Sequence, residues 1–204
     1  MARPKQDATI ENYFKDLAWE MLEVTENAAI AAARAAGKGD RKLADAAAVE
    51  AMRQTLGNLD GYTTRVVIGE GERDDAPMLY IGEKIGTGDL KIDIAVDPLE
   101  NTNATSNLMS GAVCVLAVAP SGGLLGASDT YMDKLCVGKA ACDMVDIRLG
   151  PEENVRRIAK ALHRKDMSEV TVTVLDRPRN EDLIRRLRSV GARVRLIPDG
   201  DLMQ

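Results

Sequence analysis

The sequence predicts a mixed α/β protein organised in two lobes, and three observations carry that expectation. The N-terminal stretch is alanine-rich with helical periodicity, the middle holds β-branched runs that end in acidic turns, and the C-terminal stretch alternates strand, helix and strand. The character changes after Gly150-Pro151. Residues 1–150 are therefore expected to form a first lobe of two helices and a mixed, largely antiparallel sheet, and 151–204 a partial βαβ lobe.

From Thr9 to Ala36, apolar residues recur at Ile10, Phe14, Leu17, Met21, Val24, Ala28 and Ala31, in the steps of three and four that define one helix face. Gly37 and Gly39 end this helix, and Asp40 caps a second one over Lys42–Leu56. Arg65–Ile68 reads as a buried strand, Ala76–Ile85 as a short helix, and Ile92–Val96 as another strand followed by a turn at Pro98. Gly111–Pro120 is a longer apolar strand. Pro120-Ser121-Gly122-Gly123 then turns into a further strand, and a third near Lys134–Val137 completes an antiparallel meander. Beyond residue 151, a helix (Glu152–His163), a strand (Glu169–Leu175), an arginine-rich helix (Asn180–Val190) and a strand (Ala192–Ile197) form a βαβ unit with parallel strands. Two parallel strands with one face half covered make a poor folding unit, so the second lobe is expected to be incomplete.

The 204 residues carry a net charge of −5, which argues against a nucleic-acid or anionic-membrane surface. Aromatics are 3% of the chain, so the core is expected to be aliphatic. The three cysteines, Cys114, Cys136 and Cys142, form no CxxC pair; Cys114 and Cys136 lie in apolar runs and read as reduced and structural. With no signal-peptide pattern and no membrane-length apolar stretch, the chain is expected to be soluble and cytoplasmic.

Chemistry concentrates in two acidic stretches, Gly69-Glu70-Gly71-Glu72-Arg73-Asp74-Asp75 and Asp93 to Thr102. Carboxylates gathered where buried strands end repel one another and lose solvation, so something positive must compensate them. With a single histidine in the chain and no cysteine in either stretch, hard divalent cations on oxygen ligands are the natural compensation. Glu70, Asp97 and Glu100 all follow strand ends and can converge on such ions, as in-line phosphoryl transfer requires. Thr102 stands where a helix can begin. Its hydroxyl is placed to orient a water, while the backbone N–H groups of Asn101 and Thr102 are placed to receive a phosphate oxygen. Solvated acidic loops are the competing account of the same residues.

The runs Val67–Glu72, Ala76–Lys84 and Asp93–Glu100 resemble the class II fructose-1,6-bisphosphatases, as do Gly37–Asp45, Tyr131–Lys134 and Ile197–Asp201. That family includes dual fructose-1,6/sedoheptulose-1,7-bisphosphatases of photosynthetic bacteria and belongs to the lithium-sensitive sugar phosphatases. The resemblance implies a layered αβαβα sandwich, hydrolysis of the sugar 1-phosphate by a metal-activated water, Mn2+ or Mg2+ as cofactor, a sugar bisphosphate as substrate, and a homo-oligomer.

Position by position, it implies that Glu70, Asp97 and Glu100, with the Leu99 carbonyl, hold metal, and that Asp45 and Thr102 polarise the attacking water. Asp45 and Glu70 thus count as both catalytic and metal-binding. Glu72 and Asp74 are implied to place a further cation or tune the first. Arg41, Asn101, Tyr131, Arg177, Arg179, Asp199 and Asp201 are implied to surround the sugar and its phosphates. The sequence departs from the family at Asn101, where the usual residue is glycine, and at Arg41, where lysine is common. A Gly-Gly-x-Pro-Glu-Gly motif that supplies a further metal-ligand glutamate in the family is absent. The alternative expectation is therefore a truncated, catalytically weak or inactive remnant that binds sugar phosphate or partner subunits.

Overall fold

The computed structural model describes residues 6–71, 77–127 and 131–203, with side chains from Leu17 to Leu202. The chain divides into two compact units, 1–129 and 130–204, so residues 130–150 group with the C-terminal elements.

The first unit opens with helices α1 (Gln6–Arg34) and α2 (Arg41–Gly57). On α1 the expected stripe of Leu17, Met21, Val24 and Ala28 is buried, and it continues through Ala32 and Ala35 rather than Ala31. Gly37 and Gly39 end α1 with φ of 72° and 70°, a conformation that costs glycine little. Asp40 then caps α2 by accepting the Leu43 N–H at 3.0 Å. Ala44, Ala48, Val49, Met52 and Leu56 form the buried face of α2.

These helices share a hydrophobic core with a four-stranded mixed sheet of order β2-β1-β3-β4. Its strands are β1 (Tyr62–Ile68), β2 (Lys84–Ile85), β3 (Leu90–Glu100) and β4 (Val113–Pro120). The central pair, β1 and β3, is parallel, and β1·β2 and β3·β4 are antiparallel. A short helix, α3 (Thr102–Ser106), follows β3 directly.

Four expectations need correction. Residues 77–85 form no helix: the chain turns back along β1, with Val66 N–H donating to Glu83 O at 2.9 Å and Gly82 N–H to Val66 O at 2.8 Å. Leu79 and Gly82 hold positive φ in this segment, incompatible with a continuous right-handed helix. Pro98 does not end the strand but lies within β3, in an irregular register. The turn at Pro120 forms, with Gly123 N–H donating to Pro120 O at 2.8 Å, yet no strand follows it and none forms at Lys134–Val137 among the described residues. The meander is thus reduced to the β3·β4 pair. Cys136 is exposed rather than part of an apolar strand, and Cys114 is half-buried; all three thiols are free.

The second unit holds α4 (Pro151–Ala161), β5 (Thr171–Leu175), α5 (Glu181–Ser189) and β6 (Arg193–Ile197). β5 and β6 are parallel, as the βαβ pattern predicts. Val155, Ala159, Val170, Val174, Ile184 and Leu187 form its separate core. A bidentate pair from Arg186 to Glu152, both contacts at 2.7 Å, ties α5 to the start of α4.

Candidate active site

The parallel pairing of β1 and β3 sends both carboxyl ends to the same edge of the sheet, and the acidic residues follow from that. Tyr62 pairs with Leu90 and Val66 with Ile94, so Glu70, just past β1, lies beside the end of β3. Asp97 and Glu100 are three apart, which on a regular strand points them to opposite faces. The β3·β4 register steps from Asp97↔Val115 to Glu100↔Val113, one extra residue on β3. This bulge re-aims one side chain so that the two carboxyls hydrogen-bond to each other. Leu99, whose side chain is buried, donates its N–H to Asp97 Oδ1 at 3.1 Å.

Asp45 reaches the same cluster from α2. Burial lifts its carboxyl above the ordinary range. Burial, and then the negative charge of Asp45, push Glu70 up to about 7. Asp97 is also raised, chiefly by burial, with Glu70 and Asp45 adding to the shift and the Glu100 hydrogen bond opposing it. These mutual effects place Asp45, Glu70, Asp97 and Glu100 in one electrostatic neighbourhood. Cys114, on β4 next to Asp97's pairing partner, has its thiol pushed up to about 11 by burial and by Asp97, which keeps it protonated.

Asp93 belongs to the acidic stretch but not to the site. It is fully buried and accepts from Arg65 Nε at 2.9 Å, from Arg65 Nη2 at 2.6 Å and from the Gly122 N–H at 2.6 Å. The Arg65 guanidinium holds its carboxyl below the ordinary range, so its compensation is a charged side chain rather than a metal ion.

Asn101 has φ 67° and ψ 57°, the left-handed region that glycine enters freely and asparagine tolerates best among other residues. Its side chain is occupied: Oδ1 accepts the Ala104 N–H at 3.1 Å and Nδ2 donates to Gly111 O at 3.2 Å, capping α3. The expected result is that Asn101→Gly changes stability by less than about 0.5 kcal/mol, whereas Asn101→Ala costs about 1–2 kcal/mol by losing the cap in a strained backbone, as urea denaturation would read. Thr102 starts α3 and is half-buried. Gly37 and Gly39 donate to Thr105 O and Ser106 O at 3.0 and 2.9 Å, and Arg41 Nη1 donates to Asn103 Oδ1 at 3.2 Å, which docks α3 on the start of α2.

Glu72 and Asp74 lie outside the described residues. The remaining expected residues belong to the second unit and gather at the carboxyl ends of β5 and β6, where open α/β sheets bind ligands. The Arg179 guanidinium stacks 3.9 Å from the Tyr131 ring centroid, Arg177 approaches Asp199 at 3.7 Å, and Lys134 pairs with Asp201 at 2.6 Å. Local sequence gives no sign of the pairing roles of Lys134 or, in the first unit, of Glu83 and Arg53, whose charged partners lie far along the chain.

The donors at the sheet edge are carboxylate oxygens whose burial and mutual repulsion a hard divalent cation would relieve, so their chemistry fits Mn2+ or Mg2+. Among the described residues no three acidic, histidine or cysteine side chains gather in metal-binding geometry. The donor set fits, and its arrangement is open.

Carboxylates at the ends of β1 and β3, followed directly by the short helix α3, give this mixed α/β scaffold a set of hard oxygen donors. The chain belongs to the family of bacterial fructose-1,6-bisphosphatases, glpX-encoded, which it matches over residues 15–204. It is 49% identical over 199 residues to a D-fructose 1,6-bisphosphatase class 2/sedoheptulose 1,7-bisphosphatase of Synechococcus sp. (strain JA-2-3B'a(2-13)), covering 91% of this chain and 57% of that protein. Proteins of the same name from Prochlorococcus marinus (strain NATL1A) and Crocosphaera subtropica (strain ATCC 51142 / BH68) are 48% and 46% identical, over 92% and 91% of this chain and 56% and 57% of theirs. The chain thus spans somewhat more than half the length of these relatives. No helix among the described residues is long and apolar enough to cross a membrane.

Proposed function

We propose that this chain hydrolyses the 1-phosphate of fructose 1,6-bisphosphate, with sedoheptulose 1,7-bisphosphate as a second substrate, in the presence of Mn2+ or Mg2+. The observation that supports this most is the mutual electrostatic influence of Asp45, Glu70 and Asp97, with Glu100 hydrogen-bonded to Asp97 immediately before the helix that Thr102 begins. Glu70, Asp97 and Glu100, with the Leu99 carbonyl, would hold the cation. When bound, it would lower the pKa of a water and offset phosphoryl charge. Asp45 accepts the proton of the attacking water, and the Thr102 hydroxyl orients that water toward phosphorus. Glu72 and Asp74 assist the cation sites. The resemblance assigns Arg41 and Asn101 to the reacting phosphate, and Tyr131, Arg177, Arg179, Asp199 and Asp201 to the sugar and its second phosphate, arginine acting through its fork of donors. The same reading carries a cytoplasmic homo-oligomer; exposed Trp19, Ile30 and Leu108 supply apolar surface for it.

The open carboxylate arrangement favours a second reading, a chain that binds sugar phosphate without turning it over. Phosphate release with Mn2+ separates the two. The expected result is metal-dependent release from fructose 1,6-bisphosphate that falls about 10²–10⁴-fold in Asp45→Asn and in Thr102→Ala. No release by this chain, under conditions where a longer relative turns over, leaves only the second reading.

A further inference from the structure

Glu83 is the one carboxylate besides Asp93 that is buried among the described residues, at 5% exposure, and neither the metal nor the sugar reading uses it. Both of its oxygens are engaged. Oε1 accepts from Arg53 Nε at 2.7 Å, and Oε2 accepts the Leu79 N–H at 2.5 Å. Leu79 sits in the left-handed region, φ 55°, with a side chain that is 0% exposed. A branched apolar residue is disfavoured there, so its neighbours must impose that conformation. Turned this way, Leu79 O accepts the Glu70 N–H at 3.0 Å, and Ile81 N–H reaches Gly71 O at 2.9 Å. A continuous chain of contacts therefore runs from Arg53 on α2 through the Glu83 carboxylate and the Leu79 peptide to the backbone of Glu70.

We propose that Glu83, held by Arg53, is a positioning residue that sets the backbone of Glu70 through Leu79 and so presents the Glu70 carboxylate to a divalent cation. The proposal rests on Glu70 being a metal ligand, as read above. A carboxylate suits the task because it takes a cation and an amide N–H at once. An aliphatic side chain of similar size would leave the Leu79 N–H buried without an acceptor and release the turn. Groups that hold a ligand in place without touching the metal commonly govern affinity nearly as strongly as the ligands do.

Mn2+ titration followed by electron paramagnetic resonance tests this in Glu83→Ala, Glu83→Gln, Glu70→Gln and the Glu70→Gln/Glu83→Ala double variant, with circular dichroism confirming folded protein. Glu83→Ala is expected to weaken Mn2+ binding about 10- to 100-fold. Glu83→Gln keeps an oxygen for the Leu79 N–H and is expected to restore most of that loss. In the Glu70→Gln background, Glu83→Ala is expected to change nothing further, because the ligand it positions is already gone. Equal weakening in both backgrounds, or no weakening in either, overturns the positioning role. Unchanged Mn2+ affinity in Glu70→Gln alone overturns the ligand reading instead, so the two failures are distinct. If Glu83→Ala does not fold, Arg53→Met carries the same cycle from the half-exposed end of the relay; there, a Mn2+ affinity unchanged from wild type overturns the proposal.

Discussion

Glu70→Gln is expected to stabilise the metal-free protein above pH 7 while removing most of its response to Mn2+. In the folded chain Glu70 titrates at about 7 rather than 4.5, because burial and then the charge of Asp45 oppose its ionisation. The unfolded chain loses that proton near pH 4.5, so the folded state binds more protons between the two values. The contribution to stability is fully present below pH 4.5 and is lost as pH rises through 7, at most about 3 kcal/mol for a shift of this size. Asp97 and Asp45 are shifted in the same direction, so a smaller decline persists in the variant. Urea midpoints of metal-free protein at pH 5 and pH 8 read the effect directly. The wild type drops markedly between them and Glu70→Gln drops less. Added Mn2+ raises the wild-type midpoint at pH 8, by the linkage of binding to folding, and barely moves that of the variant. A wild-type midpoint that rises from pH 5 to pH 8 without metal would show that the carboxylates do not repel one another, and the cation reading would lose its physical basis.

Gly69→Ala is expected to disable the same site from the backbone. A Cβ at residue 69 would lie 2.0 Å from Leu79 O and 2.6 Å from Val66 Cγ1. The first obstacle is a main-chain carbonyl held by the Glu70 N–H, so it cannot swing aside as a side-chain tip can. Relief requires the turn at residues 79–82 to lift off β1, at a cost of about 3 kcal/mol or more. Gly57→Ala is the contrast within the same unit: at the last residue of α2 a new methyl meets only Ile85 Cγ2, at 3.7 Å, and improved helix propensity makes the change neutral or stabilising by up to about 1 kcal/mol. Comparable stability in the two alanine variants would contradict the close packing of Gly69 on Leu79.

The candidate site was legible in the sequence as far as composition and local spacing reach. Glu70, Asp97 and Glu100 stand out because they follow apolar runs, and Asp45 through the resemblance; the charge of Asp45 raises the pKa of Glu70, both raise that of Asp97, and Asp97 meets Glu100. Asp93 shows where that reasoning stops. It has the same local surroundings as Asp97, yet Arg65, 28 residues away in sequence, neutralises it across the parallel ladder. Glu83 shows the converse, a charge within the segment expected to be helix that is instead the anchor of a turn. The segment 77–85 was misread for the same cause: its apolar residues are consistent with helix, and the carboxylate and strand edge that override them lie outside the window of periodicity.

By itself the sequence determined the two long N-terminal helices with the Asp40 cap, the parallel βαβ pair and the types of residue available for chemistry. Those depend on side-chain periodicity and turn-forming residues within a few positions, which any reader of the chain can see. Only the tertiary structure decided that β1 lies parallel to β3, that an extra residue at Pro98-Leu99 turns Asp97 and Glu100 together, and which carboxylates meet a guanidinium and which meet one another. Strand partners and neutralising charges come from distant parts of the chain, and electrostatic energy depends on separation in space rather than along the sequence.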